Sequence, residues 1–347
     1  MRVELIDLKS RYRIEKKEII KSLDRVLKKG HLVLTNELEE FERDICKYTN
    51  RKYCLGLNSG TDALMMSLWS LGIKKGDEVI TSPTSFIATV GAITHVGAKP
   101  VFVDIKNDFN IDEDKIVEKI NKKTKAIMPV HWTGRMCNMT KINLIAKKYK
   151  LKIIEDAAQG MGSYYKGLHA GSYSDVAAFS SHPLKNLNAL GDGGFITTNS
   201  EKIYNKIKLF RNHGLKKRDF VTSYGVNSRL DVLNAEILKM RLKKLNRINK
   251  LRRLNVEIYR KNLNKNFIYI PEDNFKELNS YVMFLVQAEN RDKLQKYLSK
   301  NNIQSLIYYG TPLHLQPATK NLGYRKGSLP VSEKIATLLT SNGILSQ

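Results

Sequence analysis

From residue 55 to about 200 the chain alternates short apolar runs with segments of helical periodicity, a pattern that restricts it to an α/β architecture of parallel strands joined by crossover helices. The strand runs are EVITSP around Val79, PVFVDI around Phe102, KAIMPV around Ile127, KIIEDA around Ile154, DVAAFS around Ala178 and GGFITT around Ile196. Such continuous apolar runs belong to a sheet covered on both faces. Between them TDALMMSLWSLG and MTKINLIAKKYK read as helices, the second with Ile142, Ile145, Ala146 and Tyr149 on one face. A long helical pattern follows, carrying Leu238, Leu242, Leu245, Ile248, Leu251, Leu254 and Ile258 three or four residues apart, and it links two domains. Beyond it, strands near YVMFLVQA and a helix in RDKLQKYLSKNN indicate a smaller α+β unit. The expected division is a large domain over 1–245 and a small one over 246–347.

With 347 residues, 42% of them hydrophobic, the chain can fill two cores. Its first twenty residues are charged throughout, unlike a signal peptide or anchor, and no run approaches the roughly 18 apolar residues of a membrane span. Cys46, Cys54 and Cys137 are odd in number and lack CxxC spacing, which argues against a disulfide framework and against zinc. A reducing cytoplasm is the expected location. The net charge of +25 invites a nucleic-acid reading. The basic residues are spread over the whole chain, however, and Lys239, Lys243, Lys244, Arg247, Lys250 and Arg253 read as one solvated helix face. A substrate bearing phosphates would also be steered by this charge.

The segment FSSHPLKNLNALGDGGFITTN carries the most chemistry. A strand ends at Ser180, and Lys185 follows in a polar loop flanked by Pro183, Leu184, Leu187 and Leu190, which would partly desolvate its amine and lower its pKa, as imine-forming lysines require. A loop lysine can equally be just solvated. KIIEDAAQG ends a buried strand in Glu155 and Asp156, where open α/β sheets bind ligands; Gln159 stands three residues on, and Asp156 alone is also a plausible helix N-cap. In LGLNSGTDAL the small residues Ser59, Gly60 and Thr61 open a helix, and exposed N–H groups there favour a dianion. The same residues also suit a plain helix cap. Phe86, in TSPTSFIAT, is either a ring that stacks on a ligand or a core residue.

Taken in order, NSGTDAL, TSFIAT, EDAAQ, HPLKNLNALGDGG, RNHG, GVNSRLD and PLHLQP resemble the DegT/DnrJ/EryC1/StrS family of sugar aminotransferases, over about Leu5 to Pro317. The resemblance implies the aspartate aminotransferase fold, that is, a fold type I transferase dependent on pyridoxal 5′-phosphate (PLP), with a mostly parallel seven-stranded sheet. It implies Lys185 as the Schiff-base lysine and proton shuttle, Asp156 as partner of the pyridine nitrogen, Gln159 as partner of the phenolic oxygen and Phe86 as the stacking ring. Gly60, Thr61 and Ser180, beside Ser59, would hold the phosphate. Asn227 resembles a residue that family members donate to the neighbouring subunit's cofactor, which implies a homodimer with shared sites. His213, Tyr308, Tyr309 and His314 match positions near the substrate, although a lone His is commonly a satisfied structural residue.

The implied reaction is a ping-pong transfer from glutamate, through the pyridoxamine form, to a nucleotide-linked keto-deoxysugar destined for surface polysaccharide or glycan synthesis. The seven histidines show no ligand pairing, so no metal is expected. Three rival readings fit less well: a sugar dehydratase of the family has His where Lys185 stands, amino-acid aminotransferases or lyases of the same fold lack the HPLKNLNALGDGG and PLHLQP pattern, and a basic nucleic-acid-binding protein leaves the Lys185 and Asp156 constellation unexplained. Family members usually continue past SEKIATLLTSNGILS, which predicts a shortened or altered end to the small domain.

Overall fold

The computed structural model describes residues 2–273 and 276–342. Two helices lead in. The first, α1 (Leu8–Leu27), begins where the Asp7 carboxylate accepts the Ser10 N–H at 2.8 Å; the second, α2 (Asn36–Thr49), ends on Asn50 in the left-handed conformation, φ 53°.

Seven strands then build the central sheet: β1 (Tyr53–Leu57), β2 (Glu78–Thr81), β3 (Lys99–Phe102), β4 (Thr124–Met128), β5 (Lys152–Asp156), β6 (Val176–Ser180) and β7 (Gly194–Thr198). They lie in the order β1-β7-β6-β5-β4-β2-β3. The six apolar runs are β2 to β7, and Tyr53–Leu57 adds an edge strand outside those runs. Only β7 runs against its neighbours, pairing antiparallel with β1 and β6, so the sheet is mostly parallel, as expected.

Alternation along the strands supplies two cores. Ile127 and Ile153 face one side, with Phe41 and Ile45 of α2, Ile142 of α5 (Met139–Tyr149) and Leu238. Ala126, Met128 and Ile154 face the other, against α3 (Gly60–Ser70), α4 (Ile87–His95) and α6 (Glu201–Phe210) through Leu64, Ile93 and Ile207. Because six strands point the same way, the carboxyl ends of β1, β2, β5 and β6 open on one edge of the sheet, where crossovers leave room for a ligand.

The long helix, α7 (Val232–Asn262), is continuous through residue 245. Its apolar stripe is not the buried face throughout. Ala235, Leu238, Leu245 and, between the last two, Arg241 are buried, but further along the buried positions are Asn249, Arg252 and Val256, while Leu254 and Ile258 stay 50% and 59% exposed. The reason is polar: Asn249 bonds Asn186 and the Met161 carbonyl, and Arg252 donates to the carbonyls of Tyr281 and Val282. On the basic face Lys239 pairs with Glu40 and Glu236 and Lys244 with Glu18, whereas Lys243, Arg247 and Lys250 are exposed.

The remaining unit is a four-stranded antiparallel sheet, ordered Ile268–Tyr269, Phe284–Ala288, Leu339–Asn342, Ser305–Leu306, with α8 (Arg291–Lys300) and α9 (Pro330–Leu338). The SEKIATLLTSN stretch thus supplies helix and an inner strand, and residues 343–347 lie outside the described residues. The N-terminal segment reaches this unit as well: Val3 bridges Ile303, and the Leu5 N–H donates to Gln304 Oε1 at 3.0 Å. Among the described residues no helix is long and apolar enough to cross a membrane.

Candidate active site

A cavity of about 370 Å³ opens at the carboxyl ends of the strands, walled on one side by Val282, Met283, Leu306, Tyr308 and Tyr309 of the smaller unit and by Leu5 and Ile6. Lys185 reaches it from a loop without regular structure, which side chains hold in place. Asn186 Nδ2 donates to Asn249 Oδ1 (2.8 Å) and to the Ser280 carbonyl (2.9 Å). Arg241 donates to the carbonyls of Asn188 (2.8 Å) and Ala189 (3.1 Å) and is itself paired with Glu15 at 2.7 Å, both side chains buried. Desolvation pushes the Lys185 ammonium down to about 8, against the opposing pull of the Asp156 charge. Its neutral, nucleophilic form is therefore far more accessible near neutral pH than that of an ordinary lysine.

Asp156 ends β5 and also lines the cavity. Its Oδ1 accepts the Ala158 N–H at 3.2 Å and its Oδ2 the Thr89 hydroxyl at 2.6 Å. Burial raises its pKa, and the Thr89 and Ala158 hydrogen bonds together with the Lys185 charge work in the opposite direction. No helix follows β5, so Asp156 is not a helix cap. Its neighbour Glu155 is absent from the cavity wall and is fully engaged with His131 Nε2 (2.7 Å) and the N–H groups of Gly171 and Tyr173. Burial penalises the Glu155 charge, but these bonds, His131 foremost, outweigh it and keep the carboxyl below its ordinary range.

Gln159 accepts the Thr133 N–H on Oε1 at 2.8 Å, which leaves its NH₂ as the end able to donate to an oxygen in the cavity. At α3 the Ser59 hydroxyl accepts the Asp62 N–H at 3.1 Å, so Ser59 caps the helix while it, Gly60 and Thr61 line the cavity. A Cβ at Gly60 would stand 2.7 Å from Ser180 Cβ, and one at Gly194 would stand 2.5 Å from the Ser59 carbonyl carbon. Glycine at both places lets the end of β6 close on the first turn of α3, joining the Ser180 hydroxyl to the positive end of the helix in a cradle suited to a dianion. Phe86 is the N-cap residue of α4 and 54% exposed, its ring 6.3 Å from that of Tyr309. It forms cavity wall rather than core.

Three expected residues lie elsewhere. His314 is buried outside the cavity wall, its Nε2 on Glu333 Oε1 at 3.0 Å and its ring beside Phe102 and Tyr324. His213 is exposed in a turn at φ 56°, outside the cavity. Asn227 is likewise exposed and bridges Asn212. Ser85 and Thr89, which no sequence motif marks as site residues, also line the cavity, as does His182 beside the lysine loop. The first two lie in the same TSFIAT run as Phe86. Among the described residues no group of three or more His, Cys, Asp or Glu is placed to hold a metal ion.

A desolvated amine, a buried carboxylate facing the same space, a free amide donor and a dianion cradle at a helix start form the donor set of a PLP enzyme of fold type I. The chain belongs to the DegT/DnrJ/EryC1/StrS aminotransferase family, which it matches over residues 13–345. It is 42% identical over 340 residues to the dTDP-3-amino-3,6-dideoxy-alpha-D-galactopyranose transaminase of Aneurinibacillus thermoaerophilus, covering 98% of this chain and 93% of that one. It superposes at a TM-score of 0.97 on S. venezuelae DesV in complex with a ketimine intermediate, at 34% identity over 100% of this chain and 94% of that one. The Bacillus subtilis protein ntda, solved with bound cofactor PMP, is 33% identical at a TM-score of 0.89, over 98% of this chain and 78% of that one.

Proposed function

We propose that this chain is a cytoplasmic PLP-dependent aminotransferase that moves an amino group from glutamate to a nucleotide-linked keto-deoxysugar ketonic at C3, working as a homodimer with shared sites. The observation that carries the reading is the pairing of Lys185, depressed to about 8, with the buried Asp156 across one cavity. C3 is favoured because relatives named as transaminases are named for 3-amino, 3-oxo or 3-dehydro sugars. The three thiols are free, in keeping with a reducing compartment.

PLP bound here would supply an electron sink for the charge that develops on the carbon losing a proton. The first turn of α3 with Thr61 and Ser180 would hold the phosphate, Phe86 the ring face, the Gln159 NH₂ the phenolic oxygen and Asp156 the pyridine nitrogen. Lys185, its pKa lowered by desolvation, would hold the cofactor and serve as the base that takes up and returns a proton. Tyr308, Tyr309, Leu5 and Ile6 line the same cavity and offer ring and apolar surface against which a sugar could pack.

The dimer is supported by surface chemistry. Phe220, Val221 and Tyr224 are 54%, 57% and 101% exposed on the segment leading to Asn227, and Leu184 and Leu190 are exposed on the lysine loop. Apolar groups so placed call for a cover, and a second copy would bring Asn227 to its partner's phosphate. The test is a screen of nucleotide-linked 3-keto and 4-keto sugars with glutamate, read by mass spectrometry. Amine product from a 3-keto sugar is expected. Turnover only of amino acids, or of 4-keto sugars, overturns the substrate reading.

A further inference from the structure

The TSFIAT run does more than place Phe86. Thr89 lies in the first turn of α4 and sends its hydroxyl 67 residues away in sequence, to Asp156 Oδ2 at 2.6 Å. Behind it, Ser85 Oγ lies 2.6 Å from Thr89 Oγ1. All three side chains are buried, at 3% exposure or less. An ionised carboxylate can only accept, so Thr89 spends its one hydroxyl hydrogen on Asp156, and Ser85 must be the donor to Thr89. Direction therefore runs from Ser85 through Thr89 to Asp156. Thr94 in the same helix does what a helical threonine commonly does, bonding back to the Val90 and Gly91 carbonyls. Thr89 instead spends its hydroxyl on the carboxylate.

We propose that Ser85 and Thr89 form a directed hydroxyl relay that keeps the Asp156 carboxylate ionised and aimed into the cavity, with Thr89 as its positioning residue. The Ala158 N–H holds the other carboxylate oxygen, so both oxygens are fixed and the group cannot swing away from a ligand. Burial alone drives Asp156 toward the neutral acid, which cannot pair with a protonated ring nitrogen; the Thr89 hydroxyl is the foremost of the influences acting against this. A donor that is itself accepting a hydrogen bond is polarised and donates more strongly, which is the work assigned to Ser85.

The inference rests on the reading that the cavity takes PLP, and its test separates the two. Full-length apoprotein is titrated with PLP and with 1-deaza-PLP, which lacks the ring nitrogen, and the ratio of dissociation constants, 1-deaza-PLP over PLP, is compared among variants. In wild type PLP should bind the tighter. Thr89→Val, equal in shape but without the hydroxyl, should lower that ratio about tenfold or more, the scale of one hydrogen bond to a charged group. Thr89→Ser should restore it. Ser85→Ala, which leaves Asp156 untouched, should lower it by about threefold, and it serves as the deciding variant if Thr89→Val does not fold. An unchanged ratio, including one produced by equal losses for both ligands, overturns the relay while leaving the PLP reading of the cavity standing. If wild type binds neither compound, the cofactor reading fails and the relay falls with it.

Discussion

The phosphate cradle depends on the absence of one methyl group, which Gly60→Ala would add. Its Cβ would lie 2.7 Å from Ser180 Cβ and 3.2 Å from Ser180 Oγ, whereas relaxed carbon contacts lie near 3.5–4.0 Å. Ser180 has little room to retreat, since it pairs in register with Gly194, itself pressed against the Ser59 carbonyl. The start of α3 and the end of β6 must therefore separate by roughly an ångström, at about 1–3 kcal/mol of stability. A dianion spanning both would lose one or two charge-assisted hydrogen bonds, together about 2–4 kcal/mol, or roughly 30- to 1000-fold in affinity. Titration of apoprotein followed by absorbance, with PLP and with pyridoxal, isolates the phosphate. PLP binding should fall by that factor, while pyridoxal, which has no phosphate, changes by less than about threefold. Folded Gly60→Ala protein that binds PLP within about threefold of wild type, or loses pyridoxal equally, would refute the cradle.

Asp156→Ala should cut turnover by orders of magnitude once the ring nitrogen is no longer held protonated; a loss of less than about tenfold, 1.4 kcal/mol in barrier, removes Asp156 from that role. Lys185 has a lowered pKa in the folded apoprotein, so the unfolded chain binds the extra proton between about 8 and 10.5, and stability rises with pH across that window. Lys185→Met should accordingly stabilise the apoprotein most below pH 8, with the gain fading toward pH 10.5 in urea melts; a pH-independent difference would contradict the desolvated amine. Glu15→Ala leaves Arg241 buried without its carboxylate and should cost about 3–5 kcal/mol in the same melts, loosening the lysine loop, whereas a cost under about 1 kcal/mol would show that the pair is not needed. Lys185→Ala and Asn227→Asp, each weak alone, should recover activity on co-expression approaching one wild-type site per heterodimer; activity equal only to the sum of the two mutants would place Asn227 within its own subunit.

Much of this architecture is legible in the chain because a doubly covered parallel sheet writes itself as apolar runs. The six runs from Val79 to Ile196 are six strands, and the ends of three of them carry Phe86, Asp156 and Ser180. Strand direction is not encoded in such runs, which is why the antiparallel course of Gly194–Thr198 emerges only in three dimensions. The long helix misleads for a different reason. Periodicity counts apolar residues, but the second half of α7 buries Asn249 and Arg252 on carbonyl and amide partners and leaves Leu254 and Ile258 outside. His314 looks like a site residue until Glu333, nineteen positions on, is seen to hold it. Thr89 shows the converse, since nothing in one helical threonine announces a carboxylate 67 residues away.

The central claim, that Lys185 is the cofactor-bearing amine, is tested most directly by loading the protein with PLP, reducing it with borohydride and mapping the modified peptide by mass spectrometry. The account predicts one phosphopyridoxyl group per chain, located on Lys185 within SSHPLKNLN. A label on a different lysine, or no stable label in protein that is folded and saturated with PLP, would contradict it.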